Sequence, residues 1–189
     1  MTRLHLVRHG PTHAKTMVGW TDLPADLSDT AAIARLSAHL PADAVLISSD
    51  LSRAVQTANA LTLPTRRRLP HDPALRELHF GAWEMQTFAE IEAQDAAHIR
   101  AFWETPGDVC PPGGESWHQL TARVTAALDR LSTFPEVIVV AHFGAIVAAI
   151  QLADRLDPTD AFAHRINNLS VTSLDLGPKQ QTLLINHIP

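Results

Sequence analysis

The chain has 189 residues, 46% of them apolar and 19% charged, which suits one soluble domain with a sizeable core and excludes extensive disorder. With 15 Lys and Arg against 20 Asp and Glu, the formal net charge is −5, which excludes a strongly basic nucleic-acid binder. The single cysteine, Cys110, excludes an intrachain disulfide and a thiolate metal cage and fits a reducing cytosol.

Leu4 to Val7 is a short apolar run that stops at Arg8-His9-Gly10-Pro11 and reads as a strand ending in a turn. His5, Arg8 and His9 break the N-terminal stretch, so it is not a secretory h-region. A loop with Gly19, Asp22 and Pro24 follows, then a helix from near Ser28 with Ile33, Leu36 and Leu40 on one face. Ala44 to Ile47 is a second buried strand, and Ser48, Ser49 and Asp50 offer N-cap oxygens for a helix from Leu51 to Leu61. Thr65 to Leu69 reads as a third strand. From Leu78 to Trp117 the pattern weakens into a lid-like insertion with a helix near Phe88 to Trp103. Ser116 to Leu131 is helical, Val137 to Ala141 is a clean buried strand, and Gly144 to Leu156 is a helix. The apolar span Val137 to Ile150 contains His142 and is too short for a membrane helix. Val171 to Leu176 and Leu183 to Ile188 are two final strands. The alternation predicts an α/β fold with a largely parallel sheet flanked by helices, as a single domain over 1–189, soluble and cytoplasmic.

Ligands in such sheets bind beyond the C-terminal strand ends. Three predicted strands end in Arg8-His9-Gly10, in Ser48-Ser49-Asp50 with Arg53 one turn on, and in His142-Phe143-Gly144. A cation near a helix N-terminus opposes the macrodipole, at about 0.3–1 kcal/mol, unless both bind an anion. Two arginines, two histidines and a helix N-terminus therefore describe a phosphate site.

Arg8-His9-Gly10, Gly19 with Asp22 and Leu27-Ser28, Ser48 to Ala54 with Thr57-Ala58, Glu77 to Glu84, and Val139 to His142 occur in an order that resembles the histidine phosphatase (phosphoglycerate mutase-like) superfamily. Phe80-Gly-Ala-Trp83-Glu and Pro111-Pro112-Gly113-Gly114-Glu115-Ser116, followed by Arg123-Val124, are similar to its α-ribazole phosphatase branch. The resemblance implies a phosphoglycerate mutase-like fold and a metal-independent phosphomonoesterase, with no cofactor, acting on a small phosphorylated metabolite. The implied nucleophile is His9, which would become a phosphohistidine. Arg8 and Arg53 would hold the phosphoryl oxygens. Glu77 would be the general acid and then the base, with Glu84 and Glu115 as possible substitutes. His142 would donate to the phosphoryl oxygens, as imidazolium. Thr12, Lys15 and Phe143 are the implied substrate contacts. The chain departs from the family pattern at Pro11, at Lys15 in place of asparagine, at Ala31 in place of glycine, and at Phe143 where a glycine usually follows the second histidine.

The branch likeness implies α-ribazole 5′-phosphate, an intermediate of cobalamin assembly, with other small phosphometabolites as the rival. A mutase is the second reading, although only 38 positions separate Glu77 from Glu115 where mutases usually carry a longer insertion. A catalytically silent phospholigand-binding module is the third. His5, His9 and His13 have metal-ligand spacing only on a helix, which the strand pattern opposes. His79 and His118 are candidates for the pocket wall, and Arg66-Arg67-Arg68 reads as a solvated strand edge. No membrane or nucleic-acid partner is expected, and the oligomeric state is left open.

Overall fold

The central strands are short runs of Val, Ile and Leu, the composition of strands covered on both faces. In the computed structural model, residues 2–177 and 179–189 are described; Met1 and Pro178 lie outside the described residues. Among the described residues, β1 (Arg3–Arg8), β2 (Val45–Ser48), β3 (Arg67–Arg68), β4 (Glu136–Ala141), β5 (Val171–Asp175) and β6 (Gln181–His187) form one sheet in the order β3-β2-β4-β1-β5-β6. The first four are parallel, and β5 and β6 add antiparallel beyond β1. The helices are α1 (Thr30–His39), α2 (Ser52–Ala60), α3 (Phe88–Glu104), α4 (Trp117–Leu131), α5 (Phe143–Asp154) and α6 (Pro158–Phe162). This is the α/β fold expected, with two differences. The third strand shrinks to two residues, and α6, too short for a periodic signal, was not foreseen.

Side chains alternate between the two faces of each strand. Leu4 and Leu6 of β1 and Val137 and Val139 of β4 pack with Trp117, Leu120 and Leu128 of α4 and Ile146 and Ile150 of α5. Val7, Ile138 and Val140 face the other way, against Leu36 of α1 and Ala54 and Ala58 of α2. At roughly 1.5–3 kcal/mol per buried large apolar side chain, these two layers outweigh helix propensity in fixing the elements.

Caps mark where two helices begin. Thr87 and Ser116 each form a capping box, with Glu90 and Gln119. The expected cap of α2 is different. Leu51 is its N-cap, with no side-chain bond, and Ser52 N–H instead donates to Asp22 Oδ1 (2.7 Å). Ser48 and Asp50 are drawn away to His71 and Arg76, while Ser49 Oγ both meets His142 and accepts from Leu51 N–H (3.2 Å) just before the helix.

Residues 78–117 carry a single 3₁₀ turn at Gly81–Trp83 and then α3, which breaks at Asp95 where the backbone turns extended. Trp83, Ile91, Ile99 and Phe102 of this segment are buried in the same apolar layer as α4. Met17 N–H donates to Gln86 O (2.9 Å) and Met85 N–H to Met17 O (2.8 Å), tying the segment to the loop after β1. Among the described residues no helix is long and apolar enough to cross a membrane.

The arginine run is not a uniformly solvated edge. Arg67 is exposed, but Arg66 is buried. Its guanidinium donates to the carbonyls of Ser37, Leu40, Pro41 and Leu61, joining the ends of α1 and α2. Arg66→Ala strands those acceptors and is expected to lower unfolding free energy by about 2–4 kcal/mol. Arg66→Lys should recover only part, because an ammonium cannot reach four divergent carbonyls. A urea titration checks this, and an unchanged midpoint for Arg66→Ala would contradict it.

Candidate active site

Strand register assembles the site. Arg8 sits across from Ala141 and Ser48 across from Val140, so three parallel strands end level. His9 N–H continues the ladder to Ala141 O (3.1 Å) and Ser49 N–H to Val140 O (3.1 Å). His9, Ser49 and His142 therefore meet at one sheet edge, where β4 lies between β2 and β1 and the strand order reverses.

His9 is 6% exposed and held at both ends of its peptide unit, with Asn168 Nδ2–H donating to its carbonyl (2.8 Å). Its Nδ1 lies 2.6 Å from Gly10 O. A carbonyl oxygen only accepts, so Nδ1 carries the proton and Nε2 keeps a free lone pair. Burial, then the charge of Arg53, push the His9 pKa down to about 3, with Arg8 adding to the effect. The imidazole is thus neutral throughout the physiological range. Gly10 is tight against the next loop: a Cβ there would meet Leu27 Cδ2 at 2.6 Å, while its N–H donates to Thr57 Oγ1 (3.0 Å).

Arg53 is 1% exposed at the start of α2. Its Nη1–H and Nη2–H donate to Thr21 O (2.9 Å) and Gly19 O (2.6 Å). Those carbonyls are positioned in turn by Glu84. Its carboxylate accepts from the amides of Gly19 (3.0 Å), Trp20 (2.7 Å) and Thr21 (3.2 Å), from Thr21 Oγ1 (2.8 Å), and from Phe80 N–H (3.1 Å). Burial works against ionisation of Glu84, but the Thr21 hydroxyl and these amides outweigh it and hold its pKa below the usual value. Glu84 is therefore committed to the loop, and Glu115 to a two-point pair with Arg123 (2.7 and 2.8 Å). Of the three candidate carboxylates, Glu77 is the one that lines the cavity.

Glu77 accepts from Leu78 N–H (2.9 Å) and from Gly144 N–H (2.9 Å to Oε1, 3.2 Å to Oε2). It thereby caps the first turn of α5, which has no side-chain cap of its own. A Cβ on Gly144 would collide with the Glu77 carboxylate. Arg8 Nη1–H donates to Ile166 O (2.5 Å), and the guanidinium lies over the Phe143 ring (5.7 Å). Its Nε–H is buried without an acceptor among the described residues, leaving a charged donor to spare.

His142 is 0% exposed and its ring lies 5.0 Å from that of His9. Arg53 Nε–H donates to His142 Nδ1 (3.3 Å), so Nε2 carries the proton and donates to Ser49 Oγ (2.7 Å). Burial first, then His9 and Arg53, hold its pKa well below the usual value. The imidazolium donor implied by the resemblance is not what this geometry presents. His142 is neutral here, and its Nδ1 accepts from Arg53 rather than donating into the cavity.

One cavity of about 240 Å³ is lined by Arg8, His9, Arg53 and Glu77, together with Thr12 and Phe143. Lys15 is exposed and outside its wall, while its neighbours Ala14 and Thr16 line it. His79 stacks on Trp20 (4.4 Å) and His118 pairs with Asp108 (2.8 Å); neither reaches the wall. His5 bonds Glu136 and His13 bonds Asp26, so the three spaced histidines do not converge. Sequence reasoning missed Glu84 as a loop organiser, although it stands in the acidic motif. It also missed Asn168, which is 159 positions from His9 and carries no local signal.

The chain matches the histidine phosphatase superfamily (branch 1) over residues 4–187, and it belongs to that superfamily. It is 32% identical over 154 residues to the adenosylcobalamin/alpha-ribazole phosphatase of Salmonella typhimurium, covering 76% of this chain and 75% of that one. It is 35% identical over 169 residues to a glucosyl-3-phosphoglycerate phosphatase of Mycobacterium tuberculosis, covering 80% and 74%. The structure of Bacillus stearothermophilus YhfR superposes with a TM-score of 0.90 at 25% identity, over 100% of this chain and 98% of that one. Several other curated relatives are matched over 50% of their own length.

Because the His9 pKa is depressed to about 3, unfolding in mild acid takes up a proton that the folded chain does not bind. His9 thus contributes stability that is full above pH ~6.5 and is lost on descent towards pH 3, by about 1.4 kcal/mol per pH unit. Urea midpoints from pH 7 to pH 4 should fall less steeply for His9→Gln than for the parent chain. Parallel slopes would contradict the buried neutral imidazole.

Proposed function

We propose that the chain hydrolyses small phosphomonoesters through a phosphohistidine at His9, without a metal. The observation that carries this reading is the His9 Nε2 lone pair, fixed by the Gly10 carbonyl, in a cavity shared with two guanidinium groups and one carboxyl. Nε2 attacks phosphorus as the ester P–O bond breaks, and the Glu77 carboxylic acid protonates the departing alkoxide. Water then attacks the phosphoryl group, the P–N bond breaks, and the Glu77 carboxylate takes the water proton. Phosphate leaves and Nε2 regains its lone pair. Arg8 and Arg53 stabilise the equatorial oxygens in both steps. His142 acts behind them by holding Arg53 in place. Residues 78–117 serve as a lid, supported by Phe80 and Trp103, which reach the cavity wall.

Likeness to the Salmonella relative supports α-ribazole 5′-phosphate as the substrate, and likeness to the mycobacterial relative supports another small phosphometabolite, glucosyl-3-phosphoglycerate, as the rival. Net release of inorganic phosphate distinguishes hydrolysis from a mutase, which would isomerise its substrate without release. Glu77→Gln should slow alkyl phosphates by about 10²–10⁴-fold and aryl phosphates much less, because aryl oxides leave with little protonation. Equal losses on both classes, measured as kcat, would contradict the acid role.

A further inference from the structure

The cavity joins charged and apolar groups. Arg8 and Arg53 are its only lysine or arginine side chains among the described lining residues, and both act on His9. Met17, Val18, Phe80, Trp103 and Phe143 give it apolar surface, with the Arg8 guanidinium lying over the Phe143 ring (5.7 Å). A narrow recess of about 30 Å³ shares Glu77, Phe80, Trp103 and Phe143 with this cavity and is closed by Trp117 and Phe162. The nearby arginines are already committed, Arg76 to Asp50 and Arg123 to Glu115. Lys15 is outside the wall.

We propose that this wall selects phosphomonoesters of uncharged, apolar alcohols over those bearing a second anionic group, with Trp103 as the residue that determines the preference. The proposal rests on the phosphomonoesterase reading above and narrows its substrate class. A carboxylate on the alcohol would lose its hydration against these rings while the two arginines are engaged by the phosphoryl group. An apolar body would gain from the same surroundings. Trp103 is held edge-on by Phe102 (4.9 Å, 82°) and Phe162 (6.0 Å, 87°), so the wall is preformed. Its indole N–H is buried without an acceptor among the described residues, so the Phe variant separates the ring surface from that donor.

The test compares kcat/KM for 3-phenylpropyl phosphate, glycerol 3-phosphate and 3-phosphoglycerate on the intact chain. All three leave as primary alkoxides, and 3-phenylpropoxide is the most basic of them, so leaving-group strength works against the expected order. Phenylpropyl phosphate is expected to exceed 3-phosphoglycerate by at least about tenfold. Trp103→Ala should remove most of that ratio and Trp103→Phe should keep it. Ala14→Lys, on the exposed loop, adds a cation to the wall without touching the core and should move the ratio towards 3-phosphoglycerate. Phosphate release with 3-phosphoglycerate equal or preferred overturns this inference alone, as does an unchanged ratio in both Trp103→Ala and Ala14→Lys. No release from any ester overturns the phosphomonoesterase reading and the inference with it.

Discussion

A hydrogen bond between neighbours in sequence governs the chemistry of this site. His9 Nδ1–H donates to the carbonyl of Gly10 at 2.6 Å, which leaves one ring nitrogen, Nε2, with a lone pair. Gly10 itself is packed against the following loop, where a Cβ would come within 2.6 Å of Leu27 Cδ2 and 3.0 Å of Asp26 O. The two arginines add a second constraint. Burial of the ring and their charge make protonation of His9 unfavourable, so the groups that would hold an anion also keep the imidazole neutral. Orientation and protonation state are thus set by the same few contacts.

A relay of peptide groups keeps the arginines in place. The Glu84 carboxylate gathers the amides of residues 19–21, and two carbonyls of that loop receive Arg53. His142 completes the hold on Arg53 through Nδ1 while Ser49 fixes its other nitrogen. Glu77 is oriented by the first turn of α5, where Gly144 has no side chain to block its approach. None of these supporting groups needs to touch substrate. Each removes a freedom that a buried charged side chain would otherwise retain, as preorganised sites require.

Much of this was legible in the sequence because strands and their polar ends are local signals. The runs before Arg8, Ser48 and His142 placed three strand ends, and parallel topology brought them together. The same locality explains the misreadings. Ser48 and Asp50 have the composition of a helix cap, yet their side chains are taken by His71 and Arg76, both distant in sequence. Arg66 looked like part of a charged edge, but the carbonyls it satisfies lie at the ends of two helices that only the tertiary fold brings together. Lys15 occupies the position of a phosphate ligand in the family pattern, and the chain there turns Ala14 and Thr16 inward in its stead. His142 reads as a donor by analogy, while its complete burial beside Arg53 makes it a neutral acceptor. For the helix cap and for Arg66, a contact across the fold overrode a reading built on neighbours.

The most direct examination asks whether a phosphoryl group is carried on His9, the proposed nucleophile, and at which ring nitrogen. Rapid quenching during turnover of a phosphomonoester, followed by NMR of the trapped peptide, distinguishes attachment at the two ring nitrogens. The Gly10 bond requires the adduct on His9 at Nε2. Attachment at Nδ1, or turnover with no adduct on His9, would contradict the account.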